Sequence, residues 1–366
     1  MITSKDLITS IEQLPAKLAA SVSPAEKKFI EEIKRREQLP FAVTPHFASL
    51  AGPEAEDPIR RQFFPDPREA QSDPFALDDP LGEKLHSASK AGAPRLVHQY
   101  KDRALLLAGG ACAGYCRYCF RRVWLGTAPP FIKINDEAGN PGELKAVLAY
   151  LAAHPELKEI LVSGGDPLTA DNDRLEKLFS TLRQARPGIA LRVCTRVPVT
   201  NPQRLCEKTI ALLRQFRPLR LAIHLNHPRE LALACRTRLD ACVKAGIPAL
   251  TQTVLLRGVN DNAMVLAELF KDCVDLGLSP YYLFQMDLAP GSAHFRVPLG
   301  EGLVIYRELE KLIPGTSLPA YAVDLPGGGG KIRLGENAIS GEKATKTGQV
   351  YLLRDGNGKL WEYPKK

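Results

Sequence analysis

Six short apolar segments, with helical patterns between them, dominate the chain after Leu96. Apolar runs that alternate with amphipathic helices predict parallel βαβ units. The predicted strands are 103–108, 159–163, 189–195, 219–225, 249–256 and 280–286, and the predicted helices lie near 142–153, 171–185, 202–215, 229–245, 262–276 and 301–313. Because a closed barrel of this type needs eight units, we expect an α/β fold with a partial, open (β/α)6 barrel.

Three segments make up the chain in this prediction. Residues 1–95 form an N-terminal arm, helical at first and then rich in proline. Residues 96–315 form the partial barrel, and residues 316–366 form a C-terminal segment with a glycine-rich loop and a β-hairpin. The aromatic residues expected to anchor the arm on the barrel are Phe41, Phe47, Phe63 and Phe64.

The composition is ordinary for a globular protein, with 45% hydrophobic and 25% charged residues. The net charge of +8 is scattered among acids, and no nucleic-acid-binding motif is present, so we expect no nucleic-acid partner. We find no apolar run long enough to span a membrane and no secretory leader, and we therefore expect a cytoplasmic protein. Five of the eight cysteines lie singly and predict reduced thiols rather than a disulfide framework.

The other three cysteines, Cys112, Cys116 and Cys119, follow the first predicted strand at CxxxCxxC spacing. Barrel enzymes place their chemistry at this end of a strand. Thiolates are the ligands of iron–sulfur clusters, and three thiolates on a four-iron cluster leave one iron open to a small molecule. A structural zinc ion, or thiols that act only as small apolar side chains, are the alternatives. The spacing after a buried strand is unusual for zinc and favours the cluster.

Polar residues also follow or line three later strands. Ser163, Gly164, Gly165 and Asp166 end the second predicted strand, where glycines would let the backbone approach a ligand. An ordinary βα turn would have a similar sequence. His224 and Gln252 belong to the fourth and fifth strands, and each could be a satisfied polar group of the core.

Four glycines precede Lys331, so the sequence predicts a flexible loop that presents a single amine. A lysine amine can form a Schiff base with an aldehyde cofactor, and pyridoxal phosphate is the commonest such cofactor. A phosphate-binding loop or a merely mobile one are the alternatives. The loop is no Walker A motif, because Ile332 stands where that motif requires Ser or Thr.

Taken together, these motifs resemble the lysine 2,3-aminomutase family of radical SAM enzymes. The matching stretches are 112–122, 163–168, 251–261 and 326–331, in that order, and the resemblance extends from about Phe41 to Lys331. It implies six strands with six partner helices and an N-terminal arm. It also implies that Cys112, Cys116 and Cys119 hold a 4Fe–4S cluster whose open iron S-adenosylmethionine chelates. The residues it assigns to the S-adenosylmethionine site are Ser163, Gly164, Gly165, Asp166, His224 and Gln252.

The resemblance also assigns the rest of the site. Lys331 would hold pyridoxal 5′-phosphate as an imine, and Arg103 would contact the phosphate of that cofactor. Arg121 would bind the α-carboxylate of the substrate, since a guanidinium pairs with a carboxylate through two parallel hydrogen bonds. Asp287 and Asp324 would hold the distal ammonium of the substrate. Two close carboxylates need a cation between them, which argues against glutamate as the substrate.

The implied activity moves the α-amino group of L-lysine to Cβ through a 5′-deoxyadenosyl radical and a pyridoxal phosphate imine. It requires an electron donor such as flavodoxin or ferredoxin and allows a homo-oligomer. The alternatives are a relative that makes β-lysine for elongation factor P, and an aminomutase for another cationic amino acid such as arginine. The intact run from Pro326 to Lys331 favours the free amino acid as substrate.

The chain departs from the family in its C-terminal segment. Typical members carry cysteines there that bind zinc at a subunit interface, whereas no cysteine follows Cys273 in this chain. The resemblance therefore does not extend to that zinc site or to the oligomer it supports. A non-catalytic module, with zinc on the cysteines and a phosphate on the glycine loop, would leave the βα series and the two acids unexplained.

Overall fold

A ten-stranded sheet organises the computed structural model, which describes residues 6–35, 39–134, 142–335 and 337–366. The strands lie in chain order, and each pairs with the next. Their bounds are β1 Ser87–Ala88, β2 Ala93–Tyr100, β3 Arg103–Gly109, β4 Glu159–Gly164, β5 Ala190–Thr195, β6 Leu219–His224, β7 Ala249–Val254, β8 Ser279–Phe284, β9 Ala320–Leu325 and β10 Gly330–Arg333.

The middle of this sheet is parallel and its edges are antiparallel. Every pairing from β3 to β9 is parallel, whereas β1, β2 and β10 pair antiparallel with their neighbours. Among the described residues β1 and β10 do not pair with each other, so the sheet stays open. The predicted partial barrel is therefore confirmed.

All six predicted strands are present, with bounds that differ by at most two residues. The parallel set has a seventh member, β9, which the prediction left in the C-terminal segment. In β9, Tyr321 pairs with Leu283 and Ala322 with Phe284 of β8. Within the described part of the chain no crossover helix follows β9, and a strand–helix alternation was the signal that identified the other six. The parallel part of the barrel therefore has seven strands rather than six.

Six helices cross between the parallel strands and cover the outside of the sheet. Helix α7, for example, begins after the N-cap Asp171 and buries Leu175, Leu178 and Leu182. The α-helices of the described residues are α1 Ala16–Ala20, α2 Pro24–Arg35, α3 Pro45–Ser49, α4 Arg60–Phe63, α5 Arg122–Thr127, α6 Leu144–Ala153, α7 Asn172–Ala185, α8 Val197–Thr200, α9 Glu207–Gln215, α10 Leu233–Lys244, α11 Ala263–Asp275 and α12 Leu299–Leu312. The six crossover helices are α6, α7 and α9 to α12. In the described ranges no helix is both long enough and apolar enough to cross a membrane.

The N-terminal arm packs into the same apolar core as the strands. Its four predicted aromatic anchors, Phe41, Phe47, Phe63 and Phe64, are all buried there. The bounds of the three predicted segments stay sequence predictions, and the arm's residues 1–5 and 36–38 lie outside the described residues. The ten-stranded sheet crosses both predicted segment boundaries. Strand β2 begins before residue 96, and strands β9 and β10 lie after residue 315.

A separate antiparallel sheet ends the chain, with strands β11 Ile339–Thr345, β12 Gly348–Arg354 and β13 Leu360–Pro364. Strands β12 and β13 form the predicted hairpin, and β11 adds a third strand. Tyr363 of β13 is 1% exposed, and its hydroxyl donates to the carbonyl oxygen of Met286 at 2.7 Å. The C-terminal sheet is therefore fixed beside the carboxyl end of β8.

Candidate active site

A cavity of about 360 Å³ lies inside the barrel, with its wall formed largely by the carboxyl ends of the parallel strands. Its volume falls in the range of small-molecule sites. The fourteen residues selected from the sequence all line it: Arg103, Cys112, Cys116, Cys119, Arg121, Ser163, Gly164, Gly165, Asp166, His224, Gln252, Asp287, Asp324 and Lys331. The topology thus gathers residues from seven strands and their loops into one space.

The three predicted ligand cysteines lie on the loop between β3 and α5, residues 110–121, which we term the cysteine loop. This loop packs on the end of β4. The backbone amide of Gly165 donates to the carbonyl oxygen of Gly109, and that of Asp166 donates to the carbonyl oxygen of Ala111, both at 2.7 Å. A Cβ atom on Gly165 would lie 2.3 Å from the carbonyl oxygen of Ala111. Glycine is therefore required at 165 by the close approach of the cysteine loop.

All three thiols are free of disulfides. Burial, and then the charge of Cys116, raise the pKa of Cys119 to about 12. Burial and the neighbouring thiols also raise the pKa of Cys112. Such thiols hold their protons at neutral pH unless a metal displaces them. In the part of the chain that the structure describes, no three Cys, His, Asp or Glu side chains form a ready site for a single ion.

Asp166 has a supporting role within the wall. Its carboxylate accepts hydrogen bonds from the Thr195 hydroxyl and from the backbone amides of Leu168, Arg196 and Val197. Burial raises its pKa, and these donors oppose that effect. Its side chain therefore ties the loop after β4 to the loop after β5.

His224 and Gln252 are neighbours in the register of β6 and β7. The Nε2 atom of His224 lies 2.8 Å from the hydroxyl of Tyr118, which stands between the second and third cysteines. Burial, followed by the charge of Arg196, lowers the pKa of His224 to about 3. His224 is therefore neutral at physiological pH and serves as a hydrogen-bonding group.

Lys331 lies on β10 directly opposite Asp324 on β9. Its Nζ atom donates to Oδ2 of Asp324 at 2.5 Å and lies 3.9 Å from the ring centroid of Phe284. Burial, and then the negative charge of Asp324, raise the pKa of Asp287 well above its usual value, whereas Lys331 acts in the opposite direction. Lys331 thus pairs directly with Asp324, and its charge also acts on Asp287.

The residues before Lys331 form a hairpin turn, 326–330, which we term the glycine turn. The turn contacts other parts of the protein, and its predicted flexibility stays a prediction. The carbonyl oxygen of Gly328 lies 3.0 Å from both the His86 ring and the Gln99 amide. A Cβ atom on Gly329 would lie 2.7 Å from the ring of Trp361. The arm and the C-terminal sheet therefore contact the glycine turn from two sides.

Arg103 lies at the amino end of β3, near the same turn. Its guanidinium stacks on the ring of Tyr100 at 4.0 Å and donates to Asp102 at 2.8 Å. The hydroxyl of Tyr100 in turn accepts from the backbone amide of Lys331 at 2.9 Å. An amine and a guanidinium thus occupy one wall of the cavity, joined through Tyr100.

Arg121 is already paired with a carboxylate of the protein. Its Nε and Nη2 atoms donate to Glu83 of the arm at 2.6–3.0 Å, and Nη1 donates to the Ser163 hydroxyl and the Gly164 carbonyl. Burial on its own would lower the pKa of Arg121, but Glu83 raises it overall. Sequence reasoning missed Glu83, since no local pattern links residues that only the fold brings together.

The chain is similar to proteins of known families. The radical SAM superfamily matches residues 106–270. A putative L-lysine 2,3-aminomutase of Treponema pallidum is 42% identical over 84% of this chain and 83% of the relative. The L-lysine 2,3-aminomutase of Acetoanaerobium sticklandii is 33% identical over 98% of this chain and 82% of its own. The glutamate 2,3-aminomutase of Clostridioides difficile is 31% identical over 98% and 79%. Because the relatives carry two substrate names, the substrate must be argued from the side chains of the cavity.

Proposed function

The chain belongs to the lysine 2,3-aminomutase family within the radical SAM superfamily, and on that premise we propose that it converts L-lysine to β-lysine. The reaction is an isomerisation. The amino group leaves Cα and joins Cβ while a hydrogen atom moves the other way, so that no atom is gained or lost. A donor such as flavodoxin or ferredoxin would supply the electron that starts it.

The observation that carries this proposal is the pair of acids, Asp287 and Asp324, that line the cavity together with Lys331. Lys331 donates to Asp324, and its charge also acts on Asp287. Close carboxylates without a cation between them repel each other. The side-chain ammonium of a bound lysine would supply a cation at this place. A glutamate side chain would instead bring another negative charge there.

The residues present fit the groups that the family uses. Three free thiols on one loop offer the donor set of a 4Fe–4S cluster with one open iron. We assign S-adenosylmethionine to the adjacent wall formed by the ends of β4, β6 and β7. Pyridoxal 5′-phosphate fits the wall where Lys331 offers an amine and Arg103 a cation for the phosphate. When bound, these groups supply a hydrogen-abstracting radical and a π-system that eases the transfer of nitrogen.

The protein itself binds and orients the substrate. We assign the α-carboxylate to Arg121 and the side-chain ammonium to Asp287 and Asp324, so that both ends of the amino acid are held. Phe284 and Met286 add apolar surface to the cavity wall. Such surface limits water around reactive groups, and holding both ends of the substrate aligns the reacting carbon.

The test is an anaerobic assay of lysine, arginine and glutamate with S-adenosylmethionine, pyridoxal phosphate and a reductant. We expect a brown protein that contains iron and sulfide and turns over lysine. Removal of one partner of a buried charge pair costs about 3–5 kcal/mol. Asp287→Asn and Asp324→Asn should therefore each lose at least about a hundredfold in kcat/KM, with cluster and cofactor content unchanged.

The surface variant Asp240→Asn is the matched control, since that acid pairs with the exposed Lys244 on the same helix. It should keep wild-type efficiency. Efficient turnover of lysine by both active-site variants would mean that lysine is the wrong substrate or that these acids do not bind it. A colourless protein that contains zinc would overturn the enzymatic assignment as a whole.

A further inference from the structure

A buried guanidinium contacts one of the three predicted cluster ligands. The Nη1 atom of Arg196 lies 2.7 Å from the sulfur of Cys116, and the arginine side chain is 9% exposed. Arg196 directly follows β5 and lines the cavity. We propose that Arg196 is a positioning residue for the iron–sulfur cluster, which it makes easier to reduce by donating a charged hydrogen bond to the Cys116 sulfur. The inference rests on the assignment of Cys116 as a cluster ligand in the proposed function.

The direction of the effect follows from the charges. Reduction adds one negative charge to the cluster and its thiolates. A guanidinium is always charged at working pH, so it stabilises the reduced form more than the oxidised form. Hydrogen bonds to the sulfurs and nearby charge are among the factors that set the potentials of such clusters. Arg196 therefore raises the reduction potential.

The position of the guanidinium is fixed from several sides. Its Nη2 atom donates to Oε1 of Gln62 at 2.6 Å and to Oε1 of Glu230 at 3.2 Å. Its carbon atom Cζ lies 4.8 Å from the ring centroid of Phe47. Gln62 and Phe47 both belong to the arm, and both are almost fully buried. Contacts with the arm thus hold the guanidinium beside the cysteine loop and restrict its rotation.

Glu230 is the counter-charge in this arrangement. It is fully buried, and besides Arg196 it accepts from the Gln62 side-chain amide at 2.7 Å and from the backbone amide of Asn226 at 3.0 Å. Burial raises the pKa of Glu230, and these donors together with Arg196 oppose that effect and favour the ionised carboxylate. Glu230 contacts the far side of the guanidinium, on Nη2, whereas the sulfur contacts Nη1. It therefore weakens, but does not cancel, the positive field at the cluster.

The experiment is a redox titration of the reconstituted cluster, followed by electron paramagnetic resonance in the absence of S-adenosylmethionine and substrate. At the potential where half of the wild-type cluster is reduced, Arg196→Gln should lower the ratio of reduced to oxidised cluster at least tenfold. A tenfold change corresponds to about 59 mV for one electron. Arg196→Lys keeps the charge and should lower the ratio less. Glu230→Gln removes the counter-charge and should raise it.

Opposite shifts in the Arg196 and Glu230 variants, at equal iron and sulfide content, would support the proposal, since a merely structural role would not produce them. If Arg196→Gln does not retain its cluster, the ratios of Arg196→Lys and Glu230→Gln can still be compared with that of the wild type. Unchanged ratios, or shifts in the same direction, would overturn it. The titration needs no lysine, so a wrong substrate leaves it intact, whereas a wild-type protein without iron would instead contradict the proposed function.

Discussion

The charged residues of the cavity already have partners within the protein. Lys331 pairs with Asp324, and Glu83 pairs with Arg121. Each charge that we assign to a ligand is thus already matched by a charge of the protein. The substrate and cofactor must replace these internal partners, and the replacement can be tested one residue at a time.

The first prediction concerns Asp287 and pH. Burial and the charge of Asp324 raise the pKa of this carboxyl in the folded protein. The native state therefore holds a proton that the unfolded chain has released, and stability falls as the pH rises from the ordinary Asp pKa through the raised one. Asp287→Asn removes this penalty. We expect the apo variant to melt at a higher temperature than the apo wild type at neutral pH, with a difference that shrinks towards pH 4, in calorimetric scans across pH. A variant less stable at neutral pH would contradict the assigned sign.

The second prediction concerns Glu83. In Glu83→Gln, Arg121 loses its counter-ion and is left as a buried, uncompensated charge that a substrate carboxylate can neutralise. A hydrogen bond between charged groups is worth about 1.5–3 kcal/mol, so the KM for lysine should fall about tenfold or more, without a rise in kcat. Steady-state kinetics under anaerobic conditions measure this. The neighbouring exposed residue offers a control, Lys84→Gln, which should keep the wild-type KM. A rise in KM would mean that Glu83 holds Arg121 in place for the substrate instead.

The site residues were predictable where a local motif carries them. The spacing of Cys112, Cys116 and Cys119 and the glycines before Lys331 are visible in the sequence, and parallel strands bring their carboxyl ends together without further information. Glu83 and Arg196 were not predictable in this way. Their partners, Arg121 and Cys116, lie 38 and 80 residues away along the chain. Contacts of this kind depend on how the folded chain packs, and they leave no periodic pattern in the sequence.

Among the secondary-structure elements, the C-terminal sheet has the least expected position. Its hairpin was predictable from its alternating residues and glycine-rich turn, but its contacts were not. Trp361 of β13 packs on Gly329 of the glycine turn, and Tyr363 bonds to the residue before Asp287. The C-terminal sheet therefore contacts both the glycine turn that precedes Lys331 and the residue that precedes Asp287.

The third prediction follows from this support. Trp361→Ala leaves the glycine turn without its cover, so the amine of Lys331 should be held less rigidly. We expect the Kd for pyridoxal phosphate to rise about tenfold, equivalent to about 1.4 kcal/mol. Absorbance titration of the apo protein measures it. Lys343→Ala, an exposed change on β11 of the same sheet, is the control and should bind as the wild type does. Equal Kd values for the three proteins would show that the sheet does not support the turn.

For the molecule as a whole, the arm and the barrel share one core. Phe41, Phe47, Phe63 and Phe64 lie in the same buried cluster as the strands. From the arm, Glu83 lines the cavity and Gln62 contacts Arg196. The proline-rich sequence of the arm predicted an irregular, ordered segment. It could not predict that residues of the arm would complete the active site.

The fourth prediction tests whether the arm and the barrel unfold together. Phe63 is 2% exposed, and truncation of a buried phenylalanine costs about 3–5 kcal/mol. Phe63→Ala should therefore destabilise the apo protein by that amount, with arm and barrel unfolding in one transition. Denaturant unfolding followed by both near- and far-ultraviolet circular dichroism checks it. Leu85→Ala, at an arm position that is 72% exposed, should stay within about 0.5 kcal/mol of wild type. Separate transitions for the two signals would show that the arm folds alone.

The strand order of the sheet has a consequence for synthesis. Since each strand pairs with the one before it, a chain leaving the ribosome can add every new strand to an edge that already exists. The three cysteines emerge with the first parallel strand, whereas Asp324 and Lys331 emerge with the last two. At about 5–20 residues per second, roughly 10–40 s separate Cys119 from Lys331. The wall that would carry the iron is thus made well before the amine that would carry the organic cofactor.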